Sequence, residues 1–162
     1  MMSTATDLTE LQTALDELGR RLEVDLTLDE DLSCYVDVRE DLALSLLAGT
    51  PAGFVVAGNL LVCQDLAPAE LSDILAEFNW LGYMTRGTTL AFNPEQGAFV
   101  LWLAQPVEGI SAQAIQTQIE QLVQAALEVR MALAARIEDA GSEADPQDQP
   151  EAPAFQAFFK RV

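Results

Sequence analysis

Histidine is absent from the 162 residues, and basic residues are scarce: 8 against 26 acidic ones, a net charge of −18. Without His there is no Ser–His–Asp triad, no His-ligated zinc and no imidazole acid–base chemistry. With so few Lys and Arg, polyanion-binding and anionic-membrane surfaces are both disfavoured. Cys34 and Cys63 are too few for a disulfide framework or a four-cysteine zinc site. Both sit in apolar, strand-like runs that predict buried thiols. No apolar run approaches the roughly 18 residues of a spanning helix. The first twenty residues are polar and acidic, without the apolar centre of a signal peptide. A reducing cytoplasm is the expected compartment.

Catalytic and cofactor signatures are missing too. There is no GxGxxG, GxxxxGK[ST] or GxSxG. Asp29-Glu30-Asp31 is the densest acidic cluster, but it lacks the Gly and the later Glu of a calcium loop and reads as solvated. Neither cysteine has a His to activate it. No catalytic residue, metal or cofactor is expected, and the chain is not read as an enzyme.

What is present is half apolar, enough for one folded domain with a sizeable core. Residues 1–41 hold twelve of the acids and three of the bases. This acidic coat serves as a solubilising surface, or as a face complementary to a basic partner.

Leu8, Leu11, Leu15, Leu18 and Leu22 recur at spacings of 3 and 4, which predicts an amphipathic helix over 7–22. Its narrow stripe suggests a helix lying on a surface. The period then changes to two. Cys34, Val36 and Val38 alternate with Tyr35, Asp37 and Arg39, and Leu42, Leu44 and Leu46 with Ala43, Ser45 and Leu47. A break at 49–53 leads into Phe54–Val62, with a bend or bulge at Gly58-Asn59. This is a three-stranded antiparallel meander.

Pro68 opens a second helix over 68–81, with Leu71, Ile74, Leu75, Phe78 and Leu81 as its apolar face and Gly82 as its stop. Two strands follow, Thr89–Phe92 and Ala98–Leu103, around the turn at 93–97. The last is apolar on both faces: Phe99, Leu101 and Leu103 on one, Ala98, Val100 and Trp102 on the other. An antiparallel sheet commonly turns one face to water. Here something should cover each, helices on one side and a second subunit or bound protein on the other. Ser111 caps a long third helix over 111–138 whose stripe runs Ile115, Ile119, Leu122, Ala126, Val129, Leu133.

The expected architecture is therefore α+β: an antiparallel sheet of about five strands with three helices, in the order α-β-β-β-α-β-β-α. The domain spans 1–138. Residues 139–162 read as an acidic linker by composition, closed by a Phe-rich tail. Phe155, Phe158 and Phe159 either pack loosely on the domain or form a tethered docking motif.

Asn79, Leu81 and Gly82 at the end of the second helix, then Gly87, Leu90, Phe92 and Pro94, then Gly97, Val100 and Leu101 form a pattern. Over residues 7–138 the chain resembles the class I type III secretion chaperones, the Tir-chaperone (CesT-like) family. Trp80 and Tyr83 are larger than the family's residues around those positions, and the Phe-ended tail is not a family hallmark.

The resemblance implies a bacterial cytoplasmic homodimer that binds the non-globular N-terminal segment of a secreted effector and keeps it secretion-competent, without ATP. The dimer would form through the second helix and neighbouring strands, here Leu71, Ile74, Leu75, Phe78, Trp80 and Trp102. Client side chains would enter grooves of the first helix and sheet, for which Leu11, Leu15, Leu18, Val36 and Leu44 are the candidates. Each of these is accounted for equally well as core. A client strand could extend the sheet edge. The alternative is a regulator or adaptor on the same fold, like the YbjN-type stress proteins, binding a folded partner.

Overall fold

The computed structural model describes residues 5–143 apart from 40 and 64. In chain order these form α1 (Ala5–Leu22), β1 (Ser33–Arg39), β2 (Leu42–Thr50), β3 (Gly53–Val62), α2 (Pro68–Asn79), β4 (Thr89–Asn93), β5 (Ala98–Gln105) and α3 (Ala112–Glu143). The strands make one antiparallel sheet, ordered β1-β2-β3-β5-β4. Class and element order are those read from the sequence.

Local chemistry sets the element ends. Ser111 Oγ accepts the Ala114 N–H at 3.2 Å, an N-cap for α3. Pro68 opens α2, and the Glu70 carboxylate accepts the Ala67 N–H at 3.3 Å. Two boundaries differ from expectation. α2 stops at Asn79, and Trp80–Gly82 form a separate 3-10 turn, because Leu81 and Gly82 take positive φ of 53° and 67°. α3 continues to Glu143, past 138, since the polar residues from Asp139 onward still carry helical backbone bonds. Phe155, Phe158 and Phe159 lie outside the described residues.

The register sorts the strands into two faces. One face is built on the rows Cys34–Leu46–Val56–Leu103 and Val36–Leu44–Gly58–Leu101–Leu90. The helices lie on this inner side. α3 packs over β3 and β5, α1 along α3, and α2 beside β4. A register shift between Asn59 and Leu61 inserts the extra residue Leu60, which joins the core. That is the bulge the Gly58-Asn59 pair predicts. Gly58 lets Leu44 pass over the strand: a Cβ there would sit 2.9 Å from Leu44 Cδ2.

Burial corrects several expected surface roles. Leu11, Leu15, Leu18 and Leu44 are 0% exposed, as are Ile74 and Phe78 of α2. All six belong to one core cluster. The physical reason is economy of apolar face. A helix with one narrow stripe must turn it to the core, where each fully buried Leu contributes about 1.5–3 kcal/mol. These six side chains therefore lie in the core, and what α1 and α2 leave uncovered is Leu22 and the half-buried Leu8, Leu71 and Leu75.

Candidate functional site

Among the described residues no helix lies on the other face of the sheet. Its rows are Ser33–Leu47–Val55–Ala104 and Tyr35–Ser45–Ala57–Trp102–Thr89, with Asp37, Ala43, Val100 and Ala91 beyond. None of these residues belongs to the core cluster. Leu47, Ala57, Val100 and Trp102 are half-buried, and Tyr35 is 70% exposed. Between them lies an open trough of about 570 Å³, lined by Tyr35, Leu47, Ala57 and Val100, with Asp37 and Asp41 at its acidic side. Arg130 of α3 pairs with Asp41, through both its carboxylate and its backbone carbonyl. Trp102, expected at a dimer contact with α2, belongs to this outer face, across the sheet from α2.

The two edges of the sheet differ. On β4, the Asn79 side chain behaves like a piece of strand. Its Nδ2 donates to Leu90 C=O at 2.8 Å and Leu75 C=O at 2.9 Å, and its Oδ1 accepts the Leu90 N–H at 2.9 Å. The Thr88 N–H donates to Thr85 C=O. This edge is therefore closed over 88–90, which gives Asn79 a structural task at the end of α2. On β1, the bond from Ala48 N–H to Leu32 C=O sets the phase of the ladder. With the register Ser33↔Leu47, that phase turns the N–H and C=O groups of Tyr35 and Asp37 away from β2. The Asp29 carboxylate takes the N–H and Oγ–H of Ser33 and the N–H of Asp31. These bonds hold the Asp29 carboxyl below its ordinary range, the Ser33 backbone contribution being the largest. The acidic cluster is thus a loop anchor. Beyond it, edge and trough meet at Tyr35 and Asp37; of the expected groove residues only Val36 shares this strand, half-buried and on the inner face.

A second apolar surface surrounds the turn after α2. Trp80, Leu81 and Tyr83 are 71%, 72% and 79% exposed, with Met84 beside them. Leu71 and Leu75 of α2 are half-buried nearby in sequence. The loop is held by α3: Gln121 Nε2 donates to Arg86 C=O at 3.1 Å, and Arg86 pairs with Glu128. Leu81 adopts left-handed φ with its side chain in water. A non-glycine residue there costs about 1–2 kcal/mol. Strain and exposure at one apolar residue are a signature of a contact surface. Leu81, Tyr83 and Met84 were not among the expected interface residues. Their signal was four apolar residues within 80–84, on both sides of the glycine stop.

Cys34 is buried, and burial, then Asp25 and Asp29, push its thiol up to about 11. Cys63 is only half-buried. Among the described residues no group of three or more His, Cys, Asp or Glu is placed to hold a metal ion. No helix among them is long and apolar enough to cross a membrane.

Comparison with known proteins now decides the family. The profile of the Tir chaperone protein (CesT) family matches residues 13–130. The chain belongs to that family. No curated protein matches it significantly in sequence. Among solved structures, a chain of the HopA1–SchA chaperone–effector complex aligns with TM-score 0.62 and 18% identity, over 80% of this chain and 99% of that one. A chain of the ExoT–SpcS complex from Pseudomonas aeruginosa aligns with TM-score 0.54 and 25% identity, over 74% and 96%. A chain of the Yersinia pestis type III secretion chaperone SycH, in complex with a stable fragment of YscM2, aligns with TM-score 0.55 and 16% identity, over 73% and 98%. The first and third of these likenesses concern the fold of the family. The Asn79 and Gly82 positions, which carry the resemblance in sequence, close the β4 edge and turn the chain out of α2.

Proposed function

We propose that this protein is an ATP-independent type III secretion chaperone of the bacterial cytoplasm. It binds the non-globular N-terminal segment of a secreted effector and keeps it soluble and secretion-competent. Family membership carries this reading, supported by neighbours solved as chaperone–effector complexes. A regulator that binds a folded partner is not favoured by those neighbours. The outer sheet face supplies the physics. A client's apolar side chains bury against Tyr35, Leu47, Ala57, Val100 and Trp102, and its backbone adds a strand along Tyr35 and Asp37 of β1. The acidic coat keeps the loaded complex soluble. Binding acts by mass action, holding the client unfolded until secretion removes it, so no catalysis or cofactor is needed.

The working unit is a homodimer. Leu71, Leu75 and Trp80, joined by Leu81, Tyr83 and Met84, form its contact. Packing these apolar groups between two copies relieves their exposure, while Ile74 and Phe78 support α2 from beneath.

The test is capture from the native cytoplasm, followed by reconstitution with the captured protein's recombinant N-terminal segment and sizing by light scattering. Two copies of this chain per segment, with the segment still protease-sensitive outside the contact, are expected. A partner bound only when folded, or a monomeric chain that retains nothing, overturns the reading.

A further inference from the structure

The outer trough and the Phe-rich segment have complementary chemistry. The trough has an apolar strip of Tyr35, Leu47, Ala57 and Val100, bordered by the polar Ser45, Asn59, Asn93 and Gln96 and by an acid at its side, and Asp37 makes no ion pair among the described residues. Phe155, Phe158 and Phe159 stand at i, i+3 and i+4, the spacing of one helical face, followed directly by Lys160 and Arg161. That pair is two of the chain's 8 basic residues, and Lys160 is its sole lysine. Aromatic rings followed by two cations match an apolar trough flanked by carboxylates.

Reach is also sufficient. The Arg130 side chain of α3 reaches Asp41 at the rim of the trough. From Arg130 to Glu143 the helix adds about 20 Å at 1.5 Å per residue. Residues 144–154 can span at most about 36–40 Å, so Phe155 can return to the trough. A tethered segment binds at an effective concentration near the millimolar range, which suits a weak, displaceable contact.

We propose that the chain's own segment Phe155–Val162 docks in the outer trough, its Phe rings against Tyr35, Leu47 and Val100 and its Lys160–Arg161 pair at Asp37. It acts as an internal stand-in that shields the apolar face until a client displaces it. The displacement, though not the docking, rests on the chaperone reading above.

The single lysine makes the docking directly testable in the full chain. A carbodiimide joins an amine to a carboxylate only when the two are in contact. The expected result is a Lys160–Asp37 cross-link within one chain, found by peptide mapping, independent of protein concentration and abolished by Asp37→Asn. Lys160 joined only to carboxylates away from the trough, or only to a second copy, overturns the proposal. A second readout uses a tryptophan placed in the trough by Tyr35→Trp, its emission read as the difference from the parent chain. Combined Phe155→Ser, Phe158→Ser and Phe159→Ser should red-shift its emission with unchanged circular dichroism; an unmoved spectrum overturns the docking. If the segment occupies the trough nine-tenths of the time, the same triple variant tightens client binding about tenfold. A cross-link present without any client affinity would retain the docking and overturn only the chaperone reading.

Discussion

The two faces of the sheet are made by the same strands and differ only in parity, yet their fates diverge. On the inner face Leu44, Leu46, Val56 and Leu101 are 0% exposed under α1 and α3. One residue along each strand, Ser45, Leu47, Ala57 and Trp102 are half-buried with no helix above them. Both sets are largely apolar. Hydrophobicity alone therefore does not separate core from contact surface; what separates them is whether the chain has a helix left to cover the face. Among the described residues all three helices go to one side, and the apolar area on the other side is what they leave uncovered.

Substitutions can break that comparison. The largest effect is expected for Leu15→Asp, which puts an unpaired carboxylate into the core. No folded protein should be recovered by circular dichroism, whereas Tyr35→Asp on the outer face should leave the spectrum intact. Leu101→Ala should cost about 2–5 kcal/mol in urea unfolding. Asn79→Ala strands the Leu90 N–H and should cost about 1–3 kcal/mol by the same assay. Trp102→Ser, three positions from the buried Phe99 and on the open face, should lower client affinity at least tenfold while moving stability much less than Leu101→Ala. Trp80→Asp with Tyr83→Asp should shift the species seen by light scattering from dimer to monomer, with stability of each subunit within about 0.5 kcal/mol.

The smallest effect concerns Cys34. Its thiol is held protonated up to about 11 in the fold, against an ordinary 9.0. The unfolded chain ionises first as pH rises, so the stabilising contribution is complete below pH 9 and lost between 9 and about 11. Urea midpoints measured across that window should fall in the wild type, and less so in Cys34→Ala. Near pH 8 a thiol reagent should modify half-buried Cys63 before buried Cys34.

Most of the fold was legible in the sequence because its signals are local. Leucine spacing marked α1, alternation marked β1 and β2, Pro68 and Ser111 marked helix starts. The site was less legible because burial depends on what packs over a residue. Leu11, Leu15, Leu18 and Leu44 formed the most visible apolar pattern, and for that reason they are core. The sequence marks β5 as two-faced, with Val100 and Trp102 opposite Phe99 and Leu101, and so marks an outer face that the described helices leave open. Leu81 and Tyr83 were invisible as a surface because their exposure follows from positive φ at Leu81 and Gly82, a backbone property that a Leu does not advertise. The end of α3 was missed for a similar reason: composition at 139–143 resembles a linker, and only backbone hydrogen bonding marks it as helix.

Asn79's grip on Leu90 also limits how the sheet can grow. A sheet with two open edges can polymerise, each copy adding to the next as in a fibril. With the β4 side blocked over 88–90 by an amide side chain, only a short stretch of that edge remains, and the β1 side is the longer one on which a strand can be added. Shortening one edge in this way disfavours end-to-end addition of sheets, the route by which a protein that handles unfolded chains would seed their aggregation.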